Sequence, residues 1–248
     1  MNTQCIAVVS GKGGTGKTSF VAGVGSALAL GKRRVLCLDC DVGLRNLDLA
    51  LGLTDRALMD FSDVAQGRCS LTQAVVEHPD IPGLFLLTAP VRTRRSPVTR
   101  EQMIRLMREV REQFDLCLLD APAGLGGGFA LATCAADRCV VVTTSDASSL
   151  RDAQHTVMEL HRFPSGTLHL VVNRVRKKML RSMHATIDDA MDAAGLPLLG
   201  IVPEDPQVML CANQGQPLIL RASRGAAVAY LNIAKRLLGQ KAPLMKIR

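Results

Sequence analysis

Residues Gly11 to Thr18 read GKGGTGKT, a full match to the phosphate-loop pattern G-x-x-x-x-G-K-[ST]. The stretch before it, CIAVVS, is apolar and rich in β formers. The stretch after it, SFVAGVGSALAL, has helix formers and small residues at helical spacing. A strand, a glycine turn and a helix in that order make a seat for polyphosphate. Gly11, Gly13, Gly14 and Gly16 let the backbone turn tightly around Thr15 and bring its N–H groups to the anion. The helix start adds unpaired donors and the positive end of its dipole. Lys17 is expected on the β and γ phosphates of ATP, Thr18 on Mg²⁺ directly, and Ser19 beside it in the first turn. Lys12 exceeds what the pattern requires. Spacing alone supports two readings of it equally: reach toward the nucleotide of a second subunit, or a solvated surface lysine.

Other residues suited to this chemistry stand where strands should end. Asp39 and Asp41 close VLCLDCD, Asp120 closes LCLLD and Asn173 closes LHLVVN. In open α/β sheets the carboxyl ends of the strands form the binding rim. Mg²⁺ keeps several waters, so Asp39 and Asp120 are expected to hold its shell through water, and Asp41 to orient the attacking water. Phosphoryl transfer needs positioning and charge compensation more than covalent help, so this small set suffices.

Those residues need a scaffold, and the rest of the chain supplies its pattern. Apolar strand-like runs alternate with helical stretches, which implies an α/β fold: a doubly wound, mainly parallel sheet with helices on both faces. Strands are expected at 5–10, 35–39, 84–88, 116–120, 139–143, 168–173 and 199–202. Helices are expected at 16–30, 99–114, 148–163, 187–194 and 224–238, with two short ones in 60–76. Met103, Leu106, Met107, Val110 and Phe114 form one stripe on the second of these. GLRNLDLALGL reads as a loop and short turn. No internal repeat or linker divides the chain, so 1–248 is expected to be one domain.

The composition fits that scaffold. The chain has 248 residues, 48% hydrophobic and 21% charged, and a formal net charge of +8. No apolar run has the length of a membrane span. The N-terminus enters a strand at once, without the pattern of a signal peptide, which leads to the expectation of a cytoplasmic protein. Excess positive charge favours phosphate-rich partners. The runs Arg92–Arg95 and Arg174–Arg181 read first as solvated surface. The eight cysteines suit a reducing compartment. Cys37 and Cys40 have C-x-x-C spacing, but an odd separation on an extended chain points them to opposite faces, where they cannot share a metal.

Taken together these blocks resemble the MinD/ParA family of ATPases, whose phosphate loop carries the extra lysine. DCDVGLRNLDLALGL, DAPAGL, TTSDASSLRDA, VVNRVR and GIVPEDPQV followed by NQGQPLIL are similar to blocks of its septum-site branch, in order and over nearly the whole chain. The resemblance implies an ATP-dependent homodimer in which Lys12 reaches across to the partner's phosphates and contributes to catalysis with Lys17 and Asp41. It implies a base site of Asn173 and Arg174 closed by Pro203, Glu204 and Asp205. It also implies partners among division-inhibitor and activator proteins of the Min type.

Departures from the family pattern matter. Residues 239–248 lack a full basic amphipathic membrane-targeting helix, so contact with an anionic membrane surface is expected to be weak, peripheral on the inner face of the cell membrane. Gly126–Gly128 replaces a more usual charged residue and is expected to leave the segment after DAPAGL flexible. Two related roles stay open at this point: a flagellar-number regulator, and a DNA-partitioning ATPase. The GLRNLDL block argues against nonspecific DNA as the partner.

Overall fold

A computed structural model describes residues 3–91, 97–182 and 186–247. The arginine run Arg92–Arg95 lies outside the described residues.

The strands are β1 (Gln4–Val9), β2 (Val35–Asp39), β3 (Val76–Glu77), β4 (Leu84–Leu87), β5 (Leu116–Asp120), β6 (Arg138–Thr143), β7 (Leu168–Val175) and β8 (Leu198–Pro203). They form one eight-stranded sheet in the order β3-β4-β2-β5-β1-β6-β7-β8. Every adjacent pair is parallel except β3 with β4. From β1 the chain fills one side of the sheet through β2, β3 and β4, returns to place β5 between β2 and β1, and then crosses to β6 on the other side. The loop after β1 therefore emerges at a topological switch point, where ligands of such sheets bind.

The strands are continuous apolar runs because both faces are covered. Cys5, Ala7 and Val9 of β1 enter one core layer, while Ile6 and Val8 enter the other. Cys37 and Cys40 likewise fall into opposite layers, each a buried free thiol, as their spacing predicts. Burial pushes both thiols up, so neither is poised as a thiolate.

The helix Lys17–Leu30 runs beneath this rim and is buried along nearly its whole length, which explains its lack of a polar face. Glycine is required at two of its positions. A Cβ on Gly23 would overlap the Tyr230 ring, and one on Gly25 would overlap the Cys37 sulfur. The closing helix Ala226–Leu237 and β2 thus approach the phosphate-loop helix more closely than any larger residue permits. The expected stripe on Arg100–Gln113 is also present, with Met103, Leu106, Met107 and Val110 buried and Thr99 capping the first turn.

Several elements lie beyond the sequence reading. GLRNLDLALGL contains a helix, Leu47–Leu51, capped by Gly52 with φ 69°. The glycine run Gly126–Gly128, expected to be flexible, lies at the start of a helix. Gly126 caps a helix over Gly127–Thr133, and Gly128 lies so close to Pro122 that a Cβ would overlap the proline ring. The C-terminal segment bends back: Arg236 donates to the Ala242 carbonyl, and Met245 and Ile247 pack on the core while Leu244 stays exposed. Among the described residues no helix is long and apolar enough to cross a membrane.

His78 ties the sheet edge to the site. Its Nδ1 accepts from the Asp80 N–H at 3.0 Å, so its Nε2 carries the proton and donates to the Leu51 carbonyl at 3.1 Å. That bond secures the far end of the Leu47–Leu51 helix, whose near end Asp39 holds. Burial lowers the His78 pKa from 6.5, opposed by Leu51 and Asp80 and aided by Arg56. The unfolded chain then binds more protons just below that value. The stability His78 contributes is complete above about 6.5 and is lost as pH falls toward the folded-state pKa. In urea titrations from pH 7.5 to 5, wild type is expected to lose stability relative to His78→Gln as the pH drops. Parallel curves would contradict this account.

Candidate functional site

The loop after β1 has the geometry its glycines imply. Gly14 and Gly16 have φ 79° and 88°, values that residues with a Cβ adopt at a cost. Gly16 is doubly constrained, since a Cβ there would overlap the Asn173 amide, and one on Gly11 would press on the Asp152 backbone. Gly13 and Gly14 are exposed, while Thr15 and Lys17 are buried. The loop therefore presents bare backbone to a cleft of about 600 Å³.

Lys17 Nζ donates to the Ser10 hydroxyl at 2.8 Å, and Ser10 donates onward to the Lys12 carbonyl at 2.7 Å. Burial lowers the Lys17 pKa, against the attraction of Asp120 and Asp41. Asp120, at the end of β5, is buried with its Oδ1 unpartnered. Burial raises its carboxyl, while the nearby Thr18 hydroxyl favours the ionised form. An ammonium and a carboxylate held among poorly solvating atoms want further counter-charge. A polyphosphate supplies it to Lys17, and a hydrated divalent cation supplies it to Asp120. The residues present thus fit nucleotide and Mg²⁺. Among the described residues no group of three or more His, Cys, Asp or Glu side chains forms a metal cage. Mg²⁺ is commonly held by one or two carboxylates, waters and substrate phosphates instead.

Asp39 and Asp41 divide their work. Asp39 is buried and accepts from the Asp41 N–H at 2.8 Å and the Leu47 N–H at 3.2 Å, so it shapes the loop between them. Burial raises its pKa to about 6 despite those two bonds. Each oxygen thus accepts one backbone N–H and keeps a second lone pair. Asp41 is only partly buried and lines the cleft. Burial raises its carboxyl and Lys17 opposes the shift.

The far wall comes from β7 and β8. Asn173 Nδ2 donates to the Thr15 carbonyl at 2.8 Å, and its Oδ1 accepts from the Arg174 N–H at 2.9 Å. Arg174 has φ 55°, a strained value for a non-glycine residue. It donates to the Gly14 carbonyl at 3.1 Å and forks onto Glu204 at 2.9 and 3.2 Å. Arg176 joins Glu204 at 3.3 Å. Pro203, Glu204 and Asp205 line the same cleft. Asp205, however, accepts from the Gln207 and Ala226 N–H groups, both at 3.0 Å, and so fastens the start of the closing helix.

Lys12 lies away from its own cleft. Its Nζ donates to the Ser148 hydroxyl at 2.9 Å and pairs with Asp146 at 3.4 Å. Hydroxyl donors from Thr144, Ser149 and Ser148 outweigh burial and hold Asp146 well below the usual carboxylate range.

Sequence reasoning therefore places the loop, Asp41, Asp120, Asn173, Arg174 and 203–205 at one rim, and the structure brings them together. It missed Ser10, Asp146 and Ser148 as partners of the two lysines, and Val208, Met209 and Tyr230 in the cleft lining. Ser10 follows a strand directly, Asp146 and Ser148 fall in the block TTSDASSLRDA and Val208 in GIVPEDPQV, whereas Met209 and Tyr230 have no such signal. Removing the Asn173 amide by Asn173→Ala leaves the Thr15 carbonyl and Arg174 N–H without their partner. Urea unfolding is expected to show a loss of about 1–3 kcal/mol, with weaker nucleotide binding. An unchanged midpoint would contradict the role of this bond.

The profile of the family described as "CobQ/CobB/MinD/ParA nucleotide binding domain" matches residues 6–218. The septum site-determining protein MinD of Synechocystis is 37% identical over 244 residues, covering 98% of this chain and 92% of that protein. Among solved structures, the MinC:MinD cell division protein complex of Aquifex aeolicus superposes with a TM-score of 0.91 at 33% identity, covering 99% of each chain. MinD of Pyrococcus horikoshii, solved with Mg-ADP, gives 0.81 at 27% identity, covering 95% of this chain and 96% of that one.

Proposed function

This chain belongs to the CobQ/CobB/MinD/ParA nucleotide-binding family, and from that premise we propose that it is a Mg²⁺-dependent ATPase, hydrolysing ATP to ADP and phosphate as a dimerising switch in division-septum placement. The observation that carries this reading is the seat of Lys17: a buried ammonium at the base of an open glycine loop, facing the buried, half-satisfied carboxylate of Asp120.

In this reading 1–248 act as one ATPase domain. The backbone N–H groups of Gly11 to Thr18 hold the phosphates, and Lys17 leaves Ser10 to meet the β and γ oxygens. The Thr18 hydroxyl would ligate Mg²⁺, and Asp120 and Asp39 would hold waters of its shell. Bound there, the ion would supply charge neutralisation on the phosphate oxygens. Asp41 orients the attacking water from the edge of the cleft. Asn173, Arg174, Pro203, Glu204 and Asp205 border the base. Lys12 leaves Asp146 and Ser148 to reach the phosphates of a second copy.

The Aquifex relative is solved as a MinC:MinD complex, and the Synechocystis relative is named for septum-site determination. The partners proposed here are accordingly a second copy of this chain and division-inhibitor and activator proteins of the Min type. The protein is placed in the cytoplasm, with peripheral contact at the inner face of the membrane. Such contact through 239–248 is weak, because Met245 and Ile247 are engaged with the core.

Asp41→Ala is the test. Hydrolysis is expected to fall on the order of 10²-fold or more, while ATP holds the variant as a dimer that elutes earlier in gel filtration. Undiminished hydrolysis would remove Asp41 from the chemistry, and an unshifted peak with ATP would remove the dimer.

A further inference from the structure

Beside the nucleotide cleft lies a second concavity, of about 580 Å³. The loop carrying Cys40, Asp41 and Val42 separates the two, and Asp41 lines both. Its remaining wall is mostly apolar: Phe61, Pro90, Pro97, Pro122 and Leu131 contribute. Volume and lining are those of small-molecule sites.

Parts of the described wall are fixed in place. Three of those wall residues are prolines, whose backbone cannot swing inward freely. The helix that carries Leu131 is set hard against Pro122 at Gly128. Phe61 opens a helix whose start is locked by a capping box between Asp60 and Asp63.

Among the described residues the polar groups of the lining are few: Ser62, Asp41 and Arg100. Arg100 borders the concavity and is exposed, and its side chain makes no hydrogen bond or ion pair to a described residue. Asp41 stands on the side shared with the nucleotide cleft. A negative group is repelled from the Asp41 side and attracted to the Arg100 side.

We propose that this concavity is a second ligand site, for a compact apolar molecule with one anionic group, its body against Phe61 and Leu131 and its charge at Arg100. A molecule seated there restrains the loop that carries Asp41, so it alters ATP hydrolysis without touching nucleotide. The effect on hydrolysis rests on the role proposed above for Asp41, whereas binding does not.

The full chain can be titrated with 8-anilinonaphthalene-1-sulfonate, an aromatic body with one sulfonate, followed by fluorescence with and without Mg-ADP. Saturable binding that survives Mg-ADP is expected. Ala130→Phe, on the exposed wall, and Arg100→Ala should each weaken it roughly tenfold, with thermal melting and Mg-ADP affinity unchanged. Dye affinity equal to wild type in Ala130→Phe, or dye displaced by Mg-ADP, would overturn the site. Equal affinity in Arg100→Ala alone would overturn the anionic group. Dye that binds and leaves the hydrolysis rate of wild type unchanged would overturn the coupling. Loss of hydrolysis with dye binding intact in Asp41→Ala would separate the two claims.

Discussion

The structure depends on keeping charge where the sheet offers almost no solvation. Lys17, Asp39 and Asp120 are all buried at the carboxyl rim, among strands that are apolar on both faces. Isolated charges in such places are expensive. Here each has a local partner: Ser10 for Lys17, two backbone amides for Asp39, the Thr18 hydroxyl near Asp120. None of these fully replaces water, and the unpartnered Asp120 oxygen marks the shortfall. A site held in that condition has more to gain from a polyphosphate and a divalent cation than a solvated one would.

The backbone around those charges is fastened from distant parts of the chain. Asn173 and Arg174 of β7 bind the carbonyls of Thr15 and Gly14. Asp39 pulls Asp41 and Leu47 inward, and His78 fixes the other end of that short helix through Leu51. The phosphate loop is thus held at two adjacent carbonyls, and the Asp41 loop at both ends. Both keep free backbone or a free side chain toward the cleft, which is the preorganisation that phosphoryl transfer asks of a protein. The same economy appears at Gly16, where one residue meets a strained φ and the Asn173 amide at once.

Much of this is legible in residue order because local rules and the global fold agree. Apolar runs such as LCLLD and LHLVVN must be strands buried on two faces, and an aspartate or asparagine at their ends must meet the rim. What pattern alone misses has physical causes. The edge strand β3 is two residues long and exists only because β4 offers it a partner. The helix over Gly127–Thr133 begins with two glycines, poor helix formers, and is stabilised by packing against Pro122. Lys12 stays ambiguous in the sequence because Asp146 and Ser148, its partners, lie more than a hundred residues away. Asp205, expected at the base, also serves the closing helix by binding the Ala226 amide, a task no spacing announces.

Calorimetric titration of Mg-ADP and Mg-ATP into wild type and Lys17→Met tests the central claim most directly, since the apolar side chain removes the buried charge while keeping much of its volume. The account predicts one nucleotide per wild-type chain and affinity reduced by roughly 100-fold or more in the variant. Nucleotide bound equally well by both proteins would contradict it.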